Sequence, residues 1–165
     1  MSPTVSVPLA GVSSAMAAAG PENLDILKLP EWQVTSSTYG GKLLLSDSPE
    51  FVTADAILYQ DKVEGDVRLF FHHVNSSPSP KRLVVLLEND GAAPANITVY
   101  QYGIGGPGLD WMAIGKAAQT AYLAGGNIYL VKVPAHGAEQ LSTGLGETQV
   151  RPNMLVNGIF DFKAD

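Results

Sequence analysis

The stretch Asp66–Asn75 reads DVRLFFHHVN. Side chains on a strand alternate between faces, so Val67, Leu69, Phe71 and His73 share one face while Arg68, Phe70, His72 and Val74 share the other. The flanking sequence repeats the strand pattern in both directions. Upstream, Lys42–Ser46 (KLLLS) ends in the turn cluster Asp47-Ser48-Pro49, and Phe51–Gln60 alternates imperfectly before a charged turn over Asp61–Asp66. Downstream, Asn75–Pro80 (NSSPSP) is a loop that neither helix nor sheet tolerates.

Beyond that loop, Leu83–Leu87 (LVVLL) reads as a central strand covered on both faces. The turn Asn89–Pro94 leads to Ala95–Tyr102, so 83–102 is expected to form a hairpin. Leu109–Leu123 is the one helical segment, with Trp111, Ile114, Ala118 and Tyr122 on one stripe and Ala124-Gly125-Gly126 to stop it. Asn127–Val133 and Asn153–Phe162 return to strand. Many short strands with a single helix predict a mostly β fold, an antiparallel immunoglobulin-like β-sandwich with one crossover α-helix at about 109–123. No internal repeat is visible.

Composition bounds the function. The chain has 165 residues, Lys+Arg 10 against Asp+Glu 16, and no cysteine. That length suits one domain with a core of its own. The net charge of −6 argues against a nucleic-acid partner, since no row of phosphates would be neutralised. Without cysteine there is no disulfide scaffold, thiolate catalysis or zinc–thiolate site. Residues 1–30 are read as a loosely ordered tail or the remnant of an export signal, and 31–165 as the β-sandwich domain. Ala15-Met16-Ala17 fits a signal-peptidase site, but no basic residue precedes Lys28, and the stretch is too polar and short to span a membrane.

Several motifs invite chemistry. Gly103–Gly108 (GIGGPG) satisfies GxGxxG between a strand and a helix, the setting of a dinucleotide loop. Against this, Pro107 removes an amide donor, no acidic residue ends the next strand and no second βαβ unit follows; the favoured reading is that the glycines let the chain turn sharply into the helix. His72 and His73 face opposite ways and cannot share a metal from one strand, and His136 lies in a later loop. Asp47/Glu50, Asp61/Glu64/Asp66 and Glu88/Asp90 fall at turns, without an EF-hand pattern. Neither metal nor cofactor is therefore expected. Asn75-Ser76-Ser77 and Asn96-Ile97-Thr98 match the glycosylation acceptor pattern. Tyr100 and Tyr102, placed on the outer face of one strand, together with Trp111, form a candidate ligand-binding platform; cross-strand packing with Tyr129 is the alternative.

The order of DSPE (47–50), VRLFFHHVN (67–75), Lys81–Asn89, ANITV (95–99), GIGGPG (103–108) and IGKAAQ (114–119) resembles the N-terminal β-rich region of secreted Gram-positive cell-envelope proteins. Those proteins often carry a copper amine oxidase N-terminal-like stalk module elsewhere in the chain. The Asn89–Ala95 turn is also similar to those of adhesion-type immunoglobulin-like sandwiches. The resemblance covers about residues 40–162. It implies a secreted or surface-exposed, non-catalytic structural or interaction module, with no copper-ligand motif carried over. Its partner would be a protein or a cell-wall polymer. A carbohydrate- or wall-polymer-binding module is the alternative reading, and a nucleotide-binding enzyme built on 103–108 is the third.

Overall fold

The computed structural model describes residues 25–37 and 39–165. The expected tail or export remnant lies outside the described residues up to position 24. Residues 25–37 hold one short turn, Ile26–Lys28, with Leu27, Trp32 and Val34 exposed. A compact unit runs from Tyr39 to Asp165.

That unit contains β1 (Lys42–Ser46), β2 (Phe51–Val52), β3 (Gly65–Asn75), β4 (Leu86–Asn89), β5 (Ala95–Gly108), α1 (Trp111–Ala124), β6 (Tyr129–Val133), β7 (Gly137–Gln140), α2 (Thr143–Glu147) and β8 (Leu155–Ala164). Among the described residues the fold is mostly β, 41% strand and 15% helix. One sheet has the order β1-β3-β8-β5-β6, with β2 also paired to β3, and a second sheet is the pair β4-β7. The larger sheet is mixed, not wholly antiparallel: β1 and β2 both run parallel to β3. The Asp47–Glu50 bend between them lets one edge of β3 take two short partners in succession.

Of the two faces of β3, the one that carries Val67, Leu69, Phe71 and His73 is turned to the core, and all four are buried. They join Val156, Phe160 and Phe162 of β8, and Leu83, Val85 and Leu87 pack on them from the second layer. A row of rings crosses this core. Phe160 stacks on Phe71 (6.2 Å between centroids) and on Tyr102 (5.1 Å), and Tyr102 meets Tyr129 edge-on at 5.5 Å. Gly158, opposite Phe71 in the ladder, leaves the space that the Phe71 ring fills.

The 83–102 hairpin does not form. β4 pairs antiparallel with β7, and β5 pairs with β8 and β6. Asn89 explains the change of layer. Its amide donates to the carbonyls of Ala93 (2.8 Å) and Pro134 (3.0 Å) and its oxygen accepts from Gly91 N (2.9 Å), so the turn is tied towards the β6–β7 connection. LVVLL is likewise covered on one face only, since Val84 and Leu86 are exposed. Of Phe51–Gln60, only Phe51 and Val52 enter a ladder.

α1 is the expected helix. Asp110 caps it, accepting from Ala113 N at 3.0 Å, and Gly125 closes it at φ 65°. The helix lies over β5 and β8 on the face opposite the core. It does not cross to a parallel neighbour: β6 pairs antiparallel with the first half of β5, so helix and strand together form one return path. Gly103–Gly108 lies within β5, and its glycines serve close approach. A Cβ on Gly103 would collide with the Ala118 carbonyl, and one on Gly105 with the Ile114 carbonyl.

Gly105→Ala should therefore destabilise the protein by about 1–3 kcal/mol through overpacking. Gly115→Ala, on the same helix but with open space around its Cβ position, should stabilise it by about 1 kcal/mol. Urea unfolding of the two variants checks both signs.

Candidate functional site

Helix α1 is fixed over the sheet by a polar cluster. Arg68 on β3 grips Asp161 on β8 with two hydrogen bonds of 2.7 Å, Nε to Oδ1 and an Nη to Oδ2. The Tyr122 hydroxyl on α1 donates to the same carboxylate at 2.6 Å, and the guanidinium lies 5.5 Å from its ring. Burial pushes the Asp161 carboxyl up, but the hydrogen bonds from Arg68 and Tyr122 outweigh it and hold the group below the usual carboxylate range. At the other end, Ile114 packs on Val74 and Leu155.

A helix is about 10 Å across and strands lie about 4.8 Å apart, so one helix covers about two strands. α1 covers β5 and β8 and reaches β3 only at Val74 and Arg68, which leaves the helix-side face of β1 and the middle of β3 open. Leu43 and Leu45 stand exposed there beside half-buried Phe70 and His72. Exposed Phe51 and Trp111 pair at 5.8 Å, tilted by 57°, at the upper end of this open half. Glu50 lies 3.6 Å from His72 Nε2, and His72 Nδ1 meets the Asn157 amide nitrogen at 3.0 Å.

The opposite face holds a second feature. Between the segment after β2 and the approach to β4 lies a cavity of about 340 Å³, with His73, Asn75 and Val156 in its lining. His73 is buried; its Nδ1 donates to the Pro49 carbonyl at 2.9 Å and its Nε2 accepts from the Ser46 hydroxyl at 2.9 Å. Desolvation lowers the His73 pKa, which keeps the ring neutral for these two bonds. The pair has the elements of a base-activated hydroxyl. Ser46, however, is buried and is not part of the cavity wall. It works as a tie that holds β1 and the β2 approach to β3.

The expected platform is divided by the fold. A bulge between Val99 and Gln101 reverses the alternation of β5, so Tyr100 is exposed while Tyr102 turns into the core. Tyr129 joins Tyr102 there; its hydroxyl donates to the Leu141 carbonyl at 2.7 Å, and burial pushes its pKa up to about 12. Trp111 stands apart with Phe51, a partner that sequence reasoning missed. The apolar–polar break at Glu50-Phe51 was the available signal. Gly103–Gly108 presents no open loop, because its backbone is in the β5–β8 ladder and α1 sits on it. Asn75 is buried, with its amide bound to the Ser79 and Val150 carbonyls, which closes it to glycosylation. Among the described residues, no three of His, Asp and Glu are placed to hold a metal ion, and no helix is long and apolar enough to cross a membrane. Comparison with family models, curated proteins and solved structures finds no match.

The neutral His73 makes stability depend on pH. Its folded pKa is depressed below the unfolded value of about 6.5, so the unfolded chain binds the extra proton first. Stability is complete above about pH 6.5 and falls as the pH drops from there towards the folded pKa. Urea midpoints measured from pH 7.5 down to 5 should show this loss, and His73→Gln should flatten it.

Proposed function

We propose that the chain is a non-catalytic structural or interaction module of a secreted or cell-surface protein, working outside the cytoplasm, and that its partner docks on the open half of the helix-side face. The observation that carries this reading is the exposure of large apolar side chains on rigid positions: Leu43 59%, Leu45 48%, Phe51 49% and Trp111 40%. Apolar surface concentrated in this way marks interaction sites more often than isolated exposed residues do. The resemblance of residues 40–162 to envelope proteins supports the location. The proposal includes the finer fold expectation, an immunoglobulin-like sandwich used as a rigid mount. The core shared by the two sheets supports it, while the mixed strand order does not favour it.

A second reading rests on one feature of the same face. Trp111 and Phe51 present a tilted aromatic pair with the Glu50 carboxylate and His72 beside them, a combination of ring face and hydrogen-bonding groups that suits a sugar ring of a wall polymer.

Leu43→Lys with Leu45→Lys tests the first reading, lysine being well tolerated on an exposed edge strand. Binding of the protein to cell-envelope fractions should fall at least tenfold, with unfolding free energy changed by less than about 1 kcal/mol. Undiminished binding would refute the docking face. For the second reading, a Trp32→Phe background isolates Trp111 fluorescence, which should shift on adding wall polysaccharide; an unchanged spectrum across a panel of such polymers removes it.

A further inference from the structure

The cavity on the core side is built differently from the face just described. One wall is the strap that follows β2, contributing Ala54, Ala56 and Leu58; the other is the Lys81–Val84 approach to β4. Val52, Leu83, Val84, Val150 and Val156 complete an apolar lining. At about 340 Å³ it falls within the range of small-molecule sites, about 300–1,000 Å³. Its charged groups are Lys81, Arg82 and Asp55, and the single carboxylate is already taken: Asp55 pairs with Lys81 at 2.8 Å. Arg82 is exposed and has no carboxylate partner among the described residues. In a chain of net charge −6, an apolar hollow with an uncommitted guanidinium in its wall is complementary to an apolar group carrying a negative end.

We propose that this cavity is a binding site for a free amphiphile, a medium-length acyl chain with a carboxylate head, whose chain enters between the strap and the Lys81–Val84 segment and whose carboxylate is held by Arg82. The strap suits this role. Most of Thr53–Gln60 is exposed, and it joins no ladder beyond Val52, so its small side chains at 54 and 56 line an entry without closing it. His73 and Asn75 at the back of the hollow have their polar atoms committed to protein partners, so neither competes for the ligand head.

Titration calorimetry with hexanoate, octanoate and decanoate tests the site directly, all kept below their micellar range. Affinity should rise about fourfold for each methylene that enters the cavity. Arg82→Glu should weaken decanoate at least tenfold while leaving 1-decanol binding unchanged. Ala56→Trp, a change at an exposed position, should abolish binding of both without altering the circular dichroism spectrum. An affinity independent of chain length, or decanoate binding untouched by Arg82→Glu or by Ala56→Trp, overturns the proposal. So does cosedimentation with phosphatidylglycerol vesicles in place of saturable decanoate binding, since that would assign the cations to a bilayer surface.

Discussion

Phe160 lies between Phe71 and Tyr102, and Tyr129 meets the last of these edge-on, so one row of aromatic rings crosses β3, β8, β5 and β6. The row fixes which strands are neighbours, because each ring comes from a different strand and the stack exists only in this order. β8 supplies its centre. Between Leu155 and Asp161 every residue of β8 but Ile159 is buried, since β3 and β5 occupy its edges, the core lies on one face and α1 on the other. Its two faces carry different chemistry. Phe160 and Phe162 hold the apolar core, whereas Asp161 between them holds Arg68 and Tyr122 and so sets where the helix lies.

The position of the helix in turn decides what is left open. Tyr122 is tied at one end and Ile114 is seated on Val74 and Leu155 at the other, so α1 is held over β5 and β8. The glycines at 103 and 105 bring it close enough for backbone to meet backbone. The exposed leucines of β1 are thus a consequence of the geometry that stabilises the opposite half of the sheet. The hollow behind β3 arises separately, where the Lys81–Val84 approach to β4 passes the strap that returns from β2 to β3 without entering a ladder.

Much of this was legible where local pattern and tertiary role coincide. The alternation over 66–75 grouped Val67, Leu69, Phe71 and His73 on one face, which is the buried one, and the stripe of Ile114 and Ala118 with the 124–126 stop placed α1 within two residues. The pairing of β4 was not legible. An apolar run such as LVVLL has no period of its own, and a turn at Asn89–Pro94 tells where the chain bends but not which layer it enters. The bulge at Tyr100 carried no glycine or proline to announce it, yet it moved Tyr102 from the expected outer face into the core. The glycine run was read as a cofactor loop or a sharp turn into the helix, whereas it is a strand on which the helix lies closely; sequence does not separate these uses of glycine. Trp111 was found but not Phe51, because the contact joins positions sixty residues apart.

The place of β8 in the chain has a further consequence for biogenesis. During synthesis β3 and β5 emerge well before the strand that must lie between them, and until residues 155–164 arrive their facing edges have no partner. A nascent polypeptide of this kind stays open until its central ribbon is released. That timing leaves two borders without a partner until the last ribbon of the chain has been made.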